Sequence, residues 1–240
     1  MQALKAWLKN GETPLARTLW RVAKGLRQAQ MPVIPGVHRV LYSVQVGARN
    51  LLANLMRSLW WTPLLQSRLQ RPAPRLYLYG GLPAILGPLH WQMGSDCRVA
   101  GRTTLSARGA AKAPPQLLVG RNCDIGWGCT VAVGRRIVLG DNVRLAANCF
   151  LAGYPGHPLN AAERAAGLPE HDAQVGDILL DDDVWLGTGV MVMAGVRIGA
   201  GTVVAAGSVV TRDLPAGVLA GGNPAKVIRA LQPTVEEAVA

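Results

Sequence analysis

The fold is decided by the stretch Leu180-DDDVWLGTGVMVMAGVRIGAGTVVAAGSVVTRDL-Pro215. Within it Leu180, Leu186, Val192, Ile198, Val204 and Val210 recur at every sixth position. Four residues after each comes Val184, Val190, Val196, Thr202, Ser208 or Leu214, mostly small or β-branched. A period of six matches neither the helical 3.6 nor the strand alternation of two over a long run. It predicts short strands joined by tight corners, three strands to each turn of a triangular prism. The aliphatic residue points into the prism, the residue four later fills a tighter inward slot near the corner, and Gly, Asn or Asp serves the turn. One coil then takes about eighteen residues, and stacked coils bury an apolar column that no single coil could form.

Working outward, the same phase holds in Met93, Val99 and Leu105, in Val119, Ile125 and Val131, and in Leu139, Leu145 and Leu151. Cys97, Cys123, Cys129 and Cys149 each follow a repeat aliphatic by four, which assigns all four to the small inward slot. None of their spacings is CxxC, so the reading is buried packing and no metal site. The phase is lost after Leu151 and resumes at Leu180, which predicts an excursion over 152–179. Long loops leaving a regular wall are often functional. This one carries Tyr154, His157, Glu163, Arg164, Glu170, His171 and Asp172.

The period does not give the hand of the helix, and ordinary parallel crossovers are right-handed in about 98% of cases. The hexapeptides, together with Gly156-His157-Pro158-Leu159, Val184-Trp185-Leu186-Gly187 and Gly222-Asn223-Pro224-Ala225-Lys226-Val227-Ile228-Arg229, resemble the maltose and galactoside O-acetyltransferases of the hexapeptide acyltransferase superfamily. The resemblance covers about residues 119–231. It implies a mainly β fold, a left-handed parallel β-helix; the expected fold adds an α-helical amino-terminal extension, read from periodicity below, and a short carboxy-terminal helix. It also implies an acetyl-coenzyme A donor and a homotrimer whose groove between neighbouring prisms holds that donor.

His157 is the candidate catalytic residue, because Gly-His-Pro-Leu matches the superfamily's catalytic motif. A sugar hydroxyl is a poor nucleophile at neutral pH. A positioned imidazole takes its proton during attack on a thioester and then protonates the leaving thiolate. No cysteine or serine stands in a nucleophile arrangement, which favours direct attack over an acyl-enzyme. His171 lacks the motif context and reads as a solvated loop histidine. By resemblance, Trp185 and Thr188 lie near the thioester, Ala206 and Thr211 line the pantetheine arm, and Arg212, Lys226 and Arg229 meet the phosphates. The charges of the last three suit a phosphorylated ligand independently of the resemblance, although Lys226 and Arg229 would equally suit a helix end.

Two departures bear on the acceptor. Positions where similar sugar acetyltransferases carry an acceptor-binding Asn and Asp read Gly126 and Gly134, and their short helical cap with its acceptor-binding acid is missing. A glycan or lipid-linked saccharide is expected in place of free maltose or galactoside. The competing class is a non-catalytic β-helix scaffold. A zinc-dependent β-helix hydratase needs three histidines, whereas the repeat region has only His157 and His171.

The charge is unevenly spread. The net charge is +11, and residues 1–75 hold twelve basic side chains against the single acid Glu12, while the remaining 165 residues hold thirteen of each sign. Thr13 to Gln30 and Val37 to Leu59 both read as amphipathic helices, with Leu15, Leu19, Val22 and Leu26 in the first opposite Arg17, Arg21, Lys24 and Arg27. With Trp7, Trp20, Trp60 and Trp61, this composition suits an anionic membrane surface. Packing against the prism, or between protomers, and a protein partner are the other readings; no recognisable nucleic-acid module accompanies the charge. No signal peptide or uncharged spanning run is expected, which points to a cytoplasmic, peripheral location on the inner face of the plasma membrane. The expected organisation is a basic helical region at 1–76, a connecting segment at 77–92 with Gly80, Gly81, Pro83 and Pro88, the β-helix at 93–231, and a tail at 232–240.

Overall fold

Six-residue spacing closes the chain into a three-sided prism of parallel sheets with eight, six and five strands. The computed structural model describes residues 2–11 and 13–231. The prism lies within a unit spanning residues 51–240, and residues 1–50 form a second unit. Each strand but the last, Ala225–Ala230, pairs in parallel with the strand one coil along. Ile125 therefore lies opposite Leu145, Leu145 opposite Leu186, and Leu186 opposite Val204 on the first face. On the second face Val131, Leu151, Val192 and Val210 stack in the same way. Such parallel crossovers form the left-handed β-helix that the resemblance implies.

The inward assignments hold residue by residue. The repeat aliphatics are buried, as are Val184, Val190, Val196, Thr202, Ser208 and Leu214 in the tight slot. All four cysteines are free and buried there. Burying one such aliphatic contributes about 1.5–3 kcal/mol, and the stack repeats that gain coil after coil. Along the edge between the third and first faces, Asp96, Asn122, Asn142 and Asp183 take positive φ at the turn. The Asn122 amide donates to Asn142 Oδ1 at 2.8 Å, and the Asn142 amide donates to Asp183 Oδ1 at 2.9 Å. This edge is thus tied by a side-chain ladder as well as by backbone.

Two boundaries move. Residues 77–92 are not a connector: Tyr77–Tyr79 pairs with Arg98–Ala100, Ala84–Leu86 with Thr104–Ser106, and His90–Met93 with Gln116–Val119. The first coil has a wider corner at Gly80–Pro83, so its inward residues Leu78, Ile85 and Trp91 slip out of the six-residue phase. Residues 62–76 also belong with the prism. Leu65, Leu69, Ala73 and Leu76 are buried in its core, and the Gln66 amide closes their loop by donating to Ala73 O at 2.7 Å and accepting from Ala73 N at 2.8 Å. Trp61 packs on the same core, unlike the interfacial role expected of it. At the far end, Ala225–Ala230 runs antiparallel to Val218–Gly222. Where a carboxy-terminal helix is expected, residues 225–230 are a strand that satisfies the last sheet edge; residues 232–240 lie outside the described residues.

In the first unit, α1 (Gln2–Asn10) precedes α2 (Pro14–Gln28), whose start is fixed by Thr13 Oγ1 accepting from Ala16 N at 3.1 Å and by Pro14 in the first turn. A third helix, α3 (Pro35–Met56), begins in this unit and continues as a π-helical turn at Arg57–Trp61. The helical periodicity read for Thr13–Gln30 and Val37–Leu59 is therefore realised. None of the 22 residues of α3 is buried.

Candidate functional site

Three edges join the faces of the prism, and the expected site residues fall on two of them and on strands of the first face. The edge between the first and second faces carries Trp127, Ala147–Asn148, Thr188–Gly189 and Ala206–Gly207. It is knitted by Asn148 N donating to Trp127 O at 2.7 Å, Gly189 N to Ala147 O at 2.9 Å and Gly207 N to Thr188 O at 2.8 Å. Trp185 projects from the first face beside it and is 53% exposed. The edge between the second and third faces carries the excursion and, two coils on, Thr211 and Arg212. Lys226 and Arg229 are exposed on the last strand of the first face. Within one chain, His157 thus lies on a different edge from Trp185, Thr188 and Ala206.

The excursion leaves the wall at Gly153 and returns at Ile178. Its root is closed by Gly176 N donating to Gly153 O at 3.1 Å and by Tyr154 Oη donating to Ser106 Oγ at 3.2 Å. Asn160 caps α4 (Ala161–Ala165) by accepting from Ala162 N and Glu163 N. His157 is exposed, and its backbone oxygen accepts from Gln174 Nε2 at 3.3 Å. Gln174 Oε1 in turn accepts from His171 N at 3.1 Å, so one side chain spans the loop between His157 and His171.

A clamp that the sequence reading missed holds the loop down. Arg108 follows the Thr104–Ala107 strand two coils below, and its side chain is 5% exposed. Its guanidinium meets the equally buried Glu170 carboxylate, donates to Glu170 O at 2.8 Å and donates to Asp172 Oδ1 at 2.5 Å. The Arg108 guanidinium holds the Asp172 carboxyl below the usual carboxylate range. A second phase break between Leu105 and Val119 was the available signal: a basic residue where the period fails. His171 is exposed, in keeping with the solvated reading, and its Nε2 also lies 2.8 Å from Glu163 Oε2.

The two glycines at the altered acceptor positions have steric causes. A Cβ at Gly126 would stand 2.7 Å from Leu145 O, and one at Gly134 would stand 2.4 Å from Val175 Cγ1 and 2.5 Å from Gly153 O. Val175 of the excursion thus fills the space beside Gly134.

Comparison with known proteins agrees with this architecture. The family described as bacterial transferase hexapeptide (six repeats) matches residues 171–212, and the hexapeptide repeat of succinyl-transferase matches residues 116–152. Galactoside O-acetyltransferase of Escherichia coli K12 is 35% identical over 111 residues, which is 46% of this chain and 52% of that protein. Polysialic acid O-acetyltransferase of Escherichia coli O1:K1 is 36% identical over 115 residues, 48% of this chain and 36% of that protein. The chain therefore spans about half or less of the length of these relatives. Among solved structures, a mutant of AntD, an N-acyltransferase from Bacillus cereus in complex with dTDP-4-amino-4,6-dideoxyglucose and coenzyme A, shares the fold with a TM-score of 0.53 at 18% identity. That likeness covers 69% of this chain and 89% of the other.

Proposed function

We propose that this chain, whose prism belongs to the hexapeptide-repeat acyltransferase superfamily, is an O-acetyltransferase that moves an acetyl group from acetyl-coenzyme A to a hydroxyl of a glycan or lipid-linked saccharide. The observation that carries the reading is His157, exposed in its Gly-His-Pro-Leu setting on the one long excursion from the wall. Its imidazole accepts the acceptor hydroxyl's proton as that oxygen attacks the thioester carbonyl, and the imidazolium then protonates the departing thiolate. Trp185, Thr188, Ala206 and Thr211 hold the donor's acyl and pantetheine portions, and Arg212, Lys226 and Arg229 meet its phosphates.

Because His157 and the Trp185–Thr188–Ala206 line occupy different edges, a second copy must supply one of them. This favours a homotrimer with a shared groove. The names of the matched relatives, with galactoside and polysialic acid as their substrates, support a saccharide acceptor. Thiol release from acetyl-coenzyme A in the presence of a surface-glycan extract tests the reading. Transfer that persists in His157→Ala removes the general base, and a calorimetric blank with acetyl-coenzyme A leaves only the scaffold reading.

We further infer that the amino-terminal helices lie in the plane of an anionic membrane, which would put the enzyme on the cytoplasmic face beside a membrane-borne acceptor. Leu15, Leu19, Val22 and Leu26 of α2 are all exposed along one side, opposite Arg17, Arg21, Lys24 and Arg27. In α3, Val37, Leu41, Val44, Leu51, Leu52 and Leu55 are likewise exposed. No helix among the described residues is long and apolar enough to cross a membrane. Each basic residue near anionic lipid contributes about 1 kcal/mol, weakened by salt. Co-sedimentation with phosphatidylglycerol vesicles is expected to fall sharply in Leu19→Asp/Leu26→Asp; unchanged binding overturns the anchor.

A further inference from the structure

Gly126 and Gly134 leave the acceptor without the polar side chains that similar enzymes carry there, and both positions are closed to a Cβ by neighbouring atoms. What the same coil does present is an indole. Trp127 is 43% exposed and immobilised from behind. The Tyr79 ring meets it edge-on at 79°, with centroids 5.1 Å apart. Tyr79 is itself pinned, its hydroxyl donating to Asp124 Oδ1 at 3.1 Å and reaching Ile125 O at 3.2 Å. The benzo end of the indole sits over Gly80, where a Cβ would stand 2.1 Å from Trp127 Cη2 and the backbone has φ +76°. No side chain fits there, and only glycine adopts that conformation without strain.

We propose that Trp127 is the platform on which a pyranose ring of the acceptor stacks. This inference rests on the acyltransferase reading. An indole offers a flat apolar face to the C–H face of a sugar, and a ring already fixed loses little freedom on binding. The Arg98–Asp124 pair beside Tyr79 supplies charged hydrogen-bonding groups next to the plate, the usual complement to an apolar surface in a small-ligand site. Position completes the argument: Trp127 lies on the same edge as Thr188 and Ala206, two coils before Thr188, so a sugar stacked there lies in line with the donor groove. Recognition by stacking also explains how the site dispenses with side chains at 126 and 134, and it selects a ring face over a particular hydroxyl pattern.

Fluorine NMR of the full-length protein carrying 5-fluorotryptophan tests this, with resonances assigned through Trp127→Phe and Trp185→Phe. Methyl glycosides of glucose, galactose, mannose, N-acetylglucosamine and sialic acid are titrated into the tens of millimolar, and acetyl-coenzyme A separately. The Trp127 signal is expected to move with at least one glycoside and the Trp185 signal with acetyl-coenzyme A. Trp127→Ala should weaken that glycoside roughly tenfold, with Trp127→Phe recovering much of the loss. A Trp127 signal unmoved by every glycoside, while Trp185 responds to acetyl-coenzyme A, overturns the platform and leaves the acyltransferase reading intact. A silent Trp185 with a responsive Trp127 does the reverse.

Discussion

Between Ile178 and Leu214 the chain is held by backbone hydrogen bonds running from coil to coil, whereas between Gly153 and Asp177 it is held largely by side chains. In the wall Leu186, Val192 and Ile198 each repeat what the coil before them does. At the excursion, Arg108 from two coils below and Tyr154 and Gln174 from the loop itself each make a contact that occurs once. A repetitive ladder gives stability without individuality. The loop trades ladder bonds for charge-assisted ones, made by Arg108 to Glu170 and Asp172.

The sharpest way to break this contrast is His157→Ala. Acetyl transfer is expected to fall about 10²–10⁴-fold, while thermal unfolding stays where it was, because the exposed ring supports no part of the wall. A drop in melting temperature of equal rank would show that the loop's histidine is structural. Next comes Arg108→Ala, which strands the Glu170 carboxylate in a site 5% exposed. Losing one partner of a buried pair costs about 3–5 kcal/mol. The loss should appear as faster hydrogen exchange confined to residues 153–177. Arg108→Leu/Glu170→Leu should restore most of that protection, and failure to do so would mean that Arg108 acts through something other than the pair.

A cut in the wall behaves differently. Ile125→Ala removes a fully buried side chain, at about 2–5 kcal/mol. Calorimetry should show the whole prism melting earlier, with no protection lost selectively in the loop. The smallest effect is acidic. Asp172 is held below its ordinary range by Arg108, so its contribution is complete above about pH 4 and is lost as pH falls through the lowered folded value. Its side chain is 63% exposed, so solvent screening keeps the effect small. The melting-temperature gap between the protein and Asp172→Asn should therefore be small near neutrality and close in acid.

Much of the wall is legible in a single line of sequence because each inward residue is announced by its distance from the last. That rule placed the cysteines in the tight slot and located the excursion. It failed in the first coil, where the Gly80–Pro83 corner shifts Ile85 to seven residues after Leu78 and conceals a coil among turn residues. Beyond the last coil the rule is silent, and there the unpaired sheet edge drew Ala225–Ala230 into a strand where Lys226 and Arg229 also suited a helix end.

The sequence by itself determined the period, the inward column, the break at 152–179 and His157 within it, since all of these are local. Only the tertiary structure decided that Arg108 clamps Glu170 across 62 residues, that Val175 fills the space beside Gly134, and that Gly80 and Tyr79 fix Trp127. It likewise separated His157 from Trp185 and Thr188 onto different edges. The physical reason is the same throughout: a coil sets its own corners from neighbouring residues, but what meets at an edge depends on stacking segments that the chain brings together from far apart.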